Sequence, residues 1–327
     1  MSGSKYHMTF PRRAMISDVS QDLEIREPRE IPKPASDDFV LKPEWLEPSD
    51  TYGWRAIARN LMPLLALLGI APALVRINAF VPWLLTPAIG LFLYRITVVM
   101  HDCTHHTLFV SRATNAKVGL LLGALSGVDF HRFCVQHWRH HRLYGRAGDP
   151  QGFHYLDLAR TTPGGLLRHL VEPLFGLKLR HVIGESLLAP SNLARSVRTG
   201  EIVIVALVQS VVLALVTGFG RYPILAILPF VSGATFGLFF SQLRGIAEHG
   251  ELGAGGGPVV RSHRPSWLDR VLLYDLNFNC HAEHHEHPQV PSCHLMSLQR
   301  ASGAPATPQC MFATLHDIYE VRKAPRV

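Results

Sequence analysis

The sequence predicts an all-α integral membrane protein, with four transmembrane helices in two hairpins and a histidine-rich cap on the cytoplasmic side. Three observations carry that reading. Four apolar runs of roughly 20 residues fall in two pairs, each run long enough to cross ~30 Å of hydrocarbon as a helix. Three histidine clusters lie just beyond those runs rather than inside them. Arginine collects in the long segment 131–200, as it does in segments that stay on the cytoplasmic side.

Composition agrees. Of 327 residues, 47% are hydrophobic and only 17% charged, and the mean hydropathy is +0.13. The formal charge of +7 fits loops beside anionic lipid. Aromatic and basic residues make no pattern of a nucleic-acid surface, so no nucleic-acid partner is expected. The five cysteines are odd in number and form no CxxC, which argues against a disulfide framework or a zinc ribbon. Cys103, Cys134 and Cys280 lie near histidines and read as small buried residues. The polar N-terminus shows no cleaved signal peptide.

In order, residues 1–51 mix acids, bases and proline without a period and read as an irregular cytoplasmic leader. Trp45 and Trp54 are placed near the lipid interface. The membrane-embedded domain is read as 52–300, with 301–327 as a cytoplasmic tail. Ala56–Val75 is the first span, with Pro63 and Pro72 as expected kinks. Arg76-Ile77-Asn78 turns the chain, and Ala79–Met100 returns it directly to His101. Lys117–Phe130 is apolar but too short to cross, so it reads as re-entrant or interfacial. The segment from His131 to Gly200 carries amphipathic pieces such as Leu166–Val171. Ile202–Phe219 and Tyr222–Leu243 form the second hairpin, which leads to Glu248-His249. A glycine-rich connector, Gly250–Pro258, precedes the last cluster. Four crossings put both termini and every cluster on one side.

The clusters are His101-Asp102-Cys103-Thr104-His105-His106, His137-Trp138-Arg139-His140-His141 and His281-Ala282-Glu283-His284-His285. On a helix, positions i, i+3 and i+4 share a face, so each cluster is expected to present two or three imidazoles together. Neutral imidazole is a ligand for iron, copper, nickel and zinc. With His249, the nine or ten candidates exceed what one tetrahedral ion takes. Two ions sharing them fit better, and iron is the usual choice where imidazole meets oxygen chemistry.

HDCTHH, HWRHH and HAEHH, interleaved with two apolar hairpins, resemble the three histidine boxes of the membrane fatty acid desaturase and hydroxylase superfamily. The phrase Asn279 to Pro288, followed by Val290-Pro291-Ser292-Cys293-His294-Leu295, is similar to the third-box context of bacterial desaturases. The resemblance covers about Ala56 to Leu298. It implies a di-iron centre and dioxygen as co-substrate. The implied ligands are His101, His105 or His106, His137, His140, His141, His249, His281, His284 and His285. Some relatives place an asparagine where Gly245 stands here. The resemblance is specific for the superfamily and not for the reaction. It fits desaturation of a fatty-acyl or acyl-like chain, hydroxylation of a lipid, carotenoid or alkane, and desaturation of a specialised amphiphilic metabolite.

Other residues keep two readings. Asp102, Glu283, Glu248 and His287 either orient a ligand imidazole or are ordinary polar groups. Asn277 and Asn279 cap a turn or orient a ligand, and Trp138 reads as packing. His131, His154, His169, His181, His263, His294 and His316 read as surface or helix-end histidines. No cytochrome b5 haem signature and no iron–sulfur cysteine spacing is found, which implies an external electron donor, a ferredoxin or similar carrier. The arginine-rich segment, Arg142 and Arg146 included, is a docking surface for such an acidic carrier. A histidine-rich metal transporter is disfavoured, because transporters place ligands within their spans.

Overall fold

The computed structural model describes residues 40–156, 161–184, 195–250, 259–303 and 309–323. The leader up to residue 39 and the connector residues 251–258 lie outside the described residues. Every regular element among the described residues is a helix. Four helices are long and apolar enough to cross a membrane, and each overlaps one predicted run.

The first span, α1 (Asp50–Leu74), begins where the Ser49 hydroxyl accepts a hydrogen bond from the Tyr52 amide, a local N-cap. It starts earlier than the apolar run because the cap, not hydrophobicity, sets the helix end. Neither Pro63 nor Pro72 breaks it. A 3₁₀ turn, Val81–Leu85, leads into α2 (Thr86–Thr104), so His101 and Asp102 lie within the helix. Trp45 is buried in a 3₁₀ turn (Pro43–Leu46). Trp54 is exposed and packs on Phe109.

The short apolar segment forms α3 (Arg112–Ser126) and turns into α4 (Phe130–Leu143) through 100°. Gly127, at φ 74°, ends α3 in the left-handed region that glycine favours. The Asp129 carboxylate then accepts the Arg132 amide and starts α4. The bent pair is either a broken span or a re-entrant piece, and α3 alone is too short to cross. Two short helices, α5 (Pro163–Val171) and α6 (Leu179–Val182), follow in the arginine-rich segment.

The second hairpin opens with α7 (Arg195–Val216) and returns through a stacked span: a 3₁₀ turn (Pro223–Ile227), α8 (Leu228–Ser232), a π-helical stretch (Gly233–Gly237) and α9 (Leu238–His249). This span runs past the predicted Leu243 to His249. A Cβ on Gly90 of α2 would sit 2.6 Å from the Ser232 carbonyl oxygen, so glycine lets these two spans touch.

The C-terminal cap comprises α10 (Trp267–Leu272), α11 (His281–Glu286), α12 (Leu295–Ser302) and α13 (Met311–Val321). Buried Asp275 fastens it to the spans. Its carboxylate accepts from Arg59 and Asn60 of α1 and lies 3.4 Å from Arg95 of α2. The Tyr94 hydroxyl donates to the Leu273 carbonyl at 2.8 Å. The cap is thereby fastened to the N-terminal half of α1 and the middle of α2.

Candidate metal centre

Nine of the ten predicted ligands gather into two groups. One holds His101 of α2, His105 just after it, His137 and His141 of α4, and His284 of α11. The other holds His140 of α4, His249 at the end of α9, and His281 and His285 of α11. Within each group the candidate ligand atoms lie within 4.8 Å of one another. The groups adjoin, with the His141 and His285 ring centroids 4.3 Å apart.

Each cluster presents two imidazoles to one group, as its spacing suggested, and the second and third clusters each send a third imidazole to the other group. In α4 the i, i+4 pair His137 and His141 joins the first group and His140 the second. In α11 the pair His281 and His285 joins the second group and His284 the first. Residues i+3 and i+4 stand about 100° apart around a helix, so a helix wedged between two sites feeds both. The two HxxHH motifs are used in opposite senses.

His106 lies outside both groups. Its φ of 60° turns the chain after α2, and the side chain is exposed, while His105 is buried among the other imidazoles.

The surroundings fix the rings. His140 Nδ1 lies 2.9 Å from Asp149, and His249 Nδ1 lies 2.9 Å from the Val259 carbonyl. Donation to these acceptors leaves each Nε2 with a free lone pair. Glu248 approaches His281 Nε2 at 3.3 Å and is itself held by Arg244 at 2.7 Å. Asp102 instead accepts from Ser292 and Thr107, and Glu283 accepts from Ser262. Asn277 donates to the Ser292 carbonyl and Asn279 to that of His263, which makes both structural.

The site suits a metal. The His284 Nε2 and both ring nitrogens of His285 are buried with no hydrogen-bond partner. Such groups cost roughly 1–3 kcal/mol each when nothing binds them. Burial, and then the neighbouring His106, pushes His105 down to about 3. Burial and adjacent imidazoles hold His137, His281, His284 and His285 well below the ordinary histidine value. Neutral nitrogen donors facing one another are what a borderline cation such as iron, copper or zinc takes.

A cavity of about 440 Å³ opens onto both groups, within the range of small-molecule sites. Leu93, Val98, Leu213 and Phe230 line its apolar part, and His101, His137, His140, His249 and His281 close its other end. Gly233, Ala234 and Gly237 of the π-helical stretch form one wall. Small side chains and a widened helix leave room there, and π segments recur at functional sites.

Sequence reasoning missed Asp149, Arg244 and His154. Asp149 follows the second cluster in Gly148-Asp149-Pro150, an isolated acid in a basic stretch. Arg244 is a charge in the last turns of an apolar span, which by itself marks function. His154 was expected at the surface but is buried, lines the cavity and packs on Gly245. His263 is likewise buried, because its backbone amide pairs with the Asn279 carbonyl inside the cap. His316 is exposed as expected.

A family model described as fatty acid desaturase matches residues 78–310, well over half of the chain. The chain belongs to the fatty acid desaturase family. The matched region contains every histidine of both groups. Among curated proteins, an omega-3 fatty acid desaturase of Glycine max is 29% identical over 104 residues, covering 32% of this chain and 23% of the relative. A ferredoxin-type sn-2 acyl-lipid omega-3 desaturase of Helianthus annuus is 28% identical over a match covering 32% of this chain and 24% of that relative. A probable fatty acid desaturase of Sorghum bicolor is 22% identical over 281 residues, 76% of this chain and 70% of the relative. The first two matches thus span less than a quarter of those relatives' lengths. Membership of this family and four helices long and apolar enough to cross a membrane support a membrane protein.

Proposed function

We propose that this family member is an oxygen-dependent desaturase that introduces a double bond into a fatty-acyl or acyl-like chain. The observation that carries the reading is the cavity, apolar among the spans and closed by imidazoles of both groups. An extended hydrocarbon entering it would bring methylene carbons beside the centre.

His101, His105, His137, His141 and His284 would hold one iron, and His140, His249, His281 and His285 the other. Their burial supports His105 over His106 as the first-cluster ligand. When bound, the iron pair supplies the oxidising power that dioxygen needs to remove hydrogen from an unactivated C–H bond. Leu93, Val98, Leu213 and Phe230 bind the chain and exclude water from the reacting carbons. Asp149 and the Val259 carbonyl hold the Nδ1 protons of His140 and His249. Arg244 and Glu248 offset each other's charge beside His281. Overall, two hydrogens leave adjacent carbons and dioxygen becomes two waters. The balance takes two electrons and two protons from outside.

The ferredoxin named for the Helianthus annuus relative supports a small external electron carrier as donor. The arginine of 131–200 supports the cytoplasmic membrane as location, with the cap and both termini on the cytoplasmic side.

The test is product mass. The chain is expressed in a bacterial host beside a His140→Ala/His141→Ala control, with a ferredoxin and its reductase supplied, and lipids are profiled by mass spectrometry. A species two mass units lighter than its precursor, absent from the control, is expected. A species sixteen units heavier would reassign the site to hydroxylation.

A further inference from the structure

We propose that Trp138, with Arg139 and Arg142 beside it, is the electron-entry surface, where an acidic one-electron carrier docks and delivers electrons to the His105 and His141 side of the centre. This inference rests on the desaturase reading and names the face its donor uses.

Helix α4 has two faces. The inner one carries the imidazoles of both groups. The outer one carries Val135, Trp138, Arg139 and Arg142, spaced three and four residues apart and all exposed. Trp138 is 42% exposed, yet its ring meets that of His105 at 4.8 Å, edge to face, and lies 5.8 Å from that of His141. One indole thus has one edge exposed and another against two imidazoles of the centre. Tyr144, which meets His285 at 5.0 Å, is half-buried and offers the second group a more covered route.

Charge identifies the occupant. The sequence of α4 holds three arginines and no acid. Arg132 is turned inward and sits 3.5 Å from Asp129, whereas Arg139 and Arg142 stay outside. An apolar centre of Val135 and Trp138 flanked by cations is complementary to a small acidic redox protein. A lipid interface would account for the arginines and for an exposed indole edge, but not for the contact of that ring with His105 and His141.

Each reduced carrier gives up one electron and leaves oxidised. The centre gains that electron, and two carriers serve each turnover. The indole is neither oxidised nor reduced. It shortens the gap the electron crosses.

The test uses the full-length chain in lipid nanodiscs and a reduced acidic [2Fe–2S] ferredoxin. Binding is measured against salt on iron-loaded and metal-free chain. Reduction of the loaded centre is followed by stopped flow, with dithionite as a small reductant that needs no docking. Arg139→Glu/Arg142→Glu is expected to weaken ferredoxin binding roughly tenfold and flatten its salt dependence. Trp138→Ala is expected to leave binding within about twofold, because the arginines supply the steering. In that variant electron transfer from saturating ferredoxin should slow about tenfold while dithionite reduction is unchanged. Trp138→Phe, which keeps a ring, should restore most of the rate.

Wild-type binding and salt slope in the arginine variant would overturn the docking face. So would a ferredoxin affinity that the arginine variant changes only in anionic nanodiscs and not in neutral ones, which would make the arginines a lipid contact. An equal slowing with dithionite would make Trp138 a structural support and overturn its role in transfer. Ferredoxin binding to the metal-free chain decides the docking face by itself. A preparation with no reducible iron would therefore strike the desaturase reading and not this surface.

Discussion

His140 holds its Nδ1 2.9 Å from the Asp149 carboxylate, inside the protein. Asp149 also accepts the Tyr155 hydroxyl and, at 2.9 Å, the Gln151 amide. Burial alone would raise this carboxyl, but the hydrogen bonds from His140, Tyr155 and Gln151 bring it below the usual carboxylate range. The pair fixes which nitrogen of His140 faces the second group.

Asp149→Asn keeps the shape and removes the charged acceptor. Iron affinity at the second group is expected to fall ~10–100-fold, as for other partners that orient a ligand histidine. Chelator competition measures this, and wild-type affinity in the variant would remove Asp149 from the account.

His105 and His106 are adjacent and opposite in fate. His105→Ala should cut iron content and turnover together, by roughly 100-fold or more in rate. His106→Ala should stay within about twofold of wild type, since a surface side chain is replaced. The reverse ranking in a desaturation assay would move the first ligand to His106.

Ala234 lines the cavity within the π-helical stretch. Ala234→Phe should fill part of it and shift preference to shorter or fewer acyl chains, with iron unchanged. Pocket changes of a few methylenes alter selectivity by about 10–200-fold. An unaltered product profile would place the acyl chain elsewhere.

Asp275 joins Arg59 and Asn60 of α1 to the cap. Asp275→Ala leaves these partners and Arg95 without their anion, at a cost of about 3–5 kcal/mol. Thermal unfolding in detergent reads the loss. An unchanged midpoint would show that the cap is held by other contacts.

Burial, then the nearby Lys178 and His169, lowers His154 to about 3. The unfolded chain takes up this proton near the ordinary value of 6.5 and the folded chain does not. Stability is therefore full above about pH 6.5. It falls by up to ~1.4 kcal/mol per unit as pH drops towards 3. In metal-free protein, His154→Gln should reduce that slope by about one proton. An identical slope would mean that His154 titrates freely in the fold.

The spans and the histidine clusters were legible because apolar length and helical spacing are local properties. The division of each HxxHH motif was not, because it depends on how α4 and α11 pack between the two groups. Spacing likewise could not choose between His105 and His106. That choice is made by the left-handed turn at His106, after α2 ends. His154 read as a surface or helix-end histidine, and only the return of the chain beside α9 brings it against Gly245.

Metal stoichiometry tests the central claim most directly. Iron is measured per chain in purified wild type, His284→Ala and His281→Ala. The account predicts two irons in wild type and loss from a different group in each variant, read as distinct Mössbauer signals. One iron per chain, or zinc in its place, would contradict it.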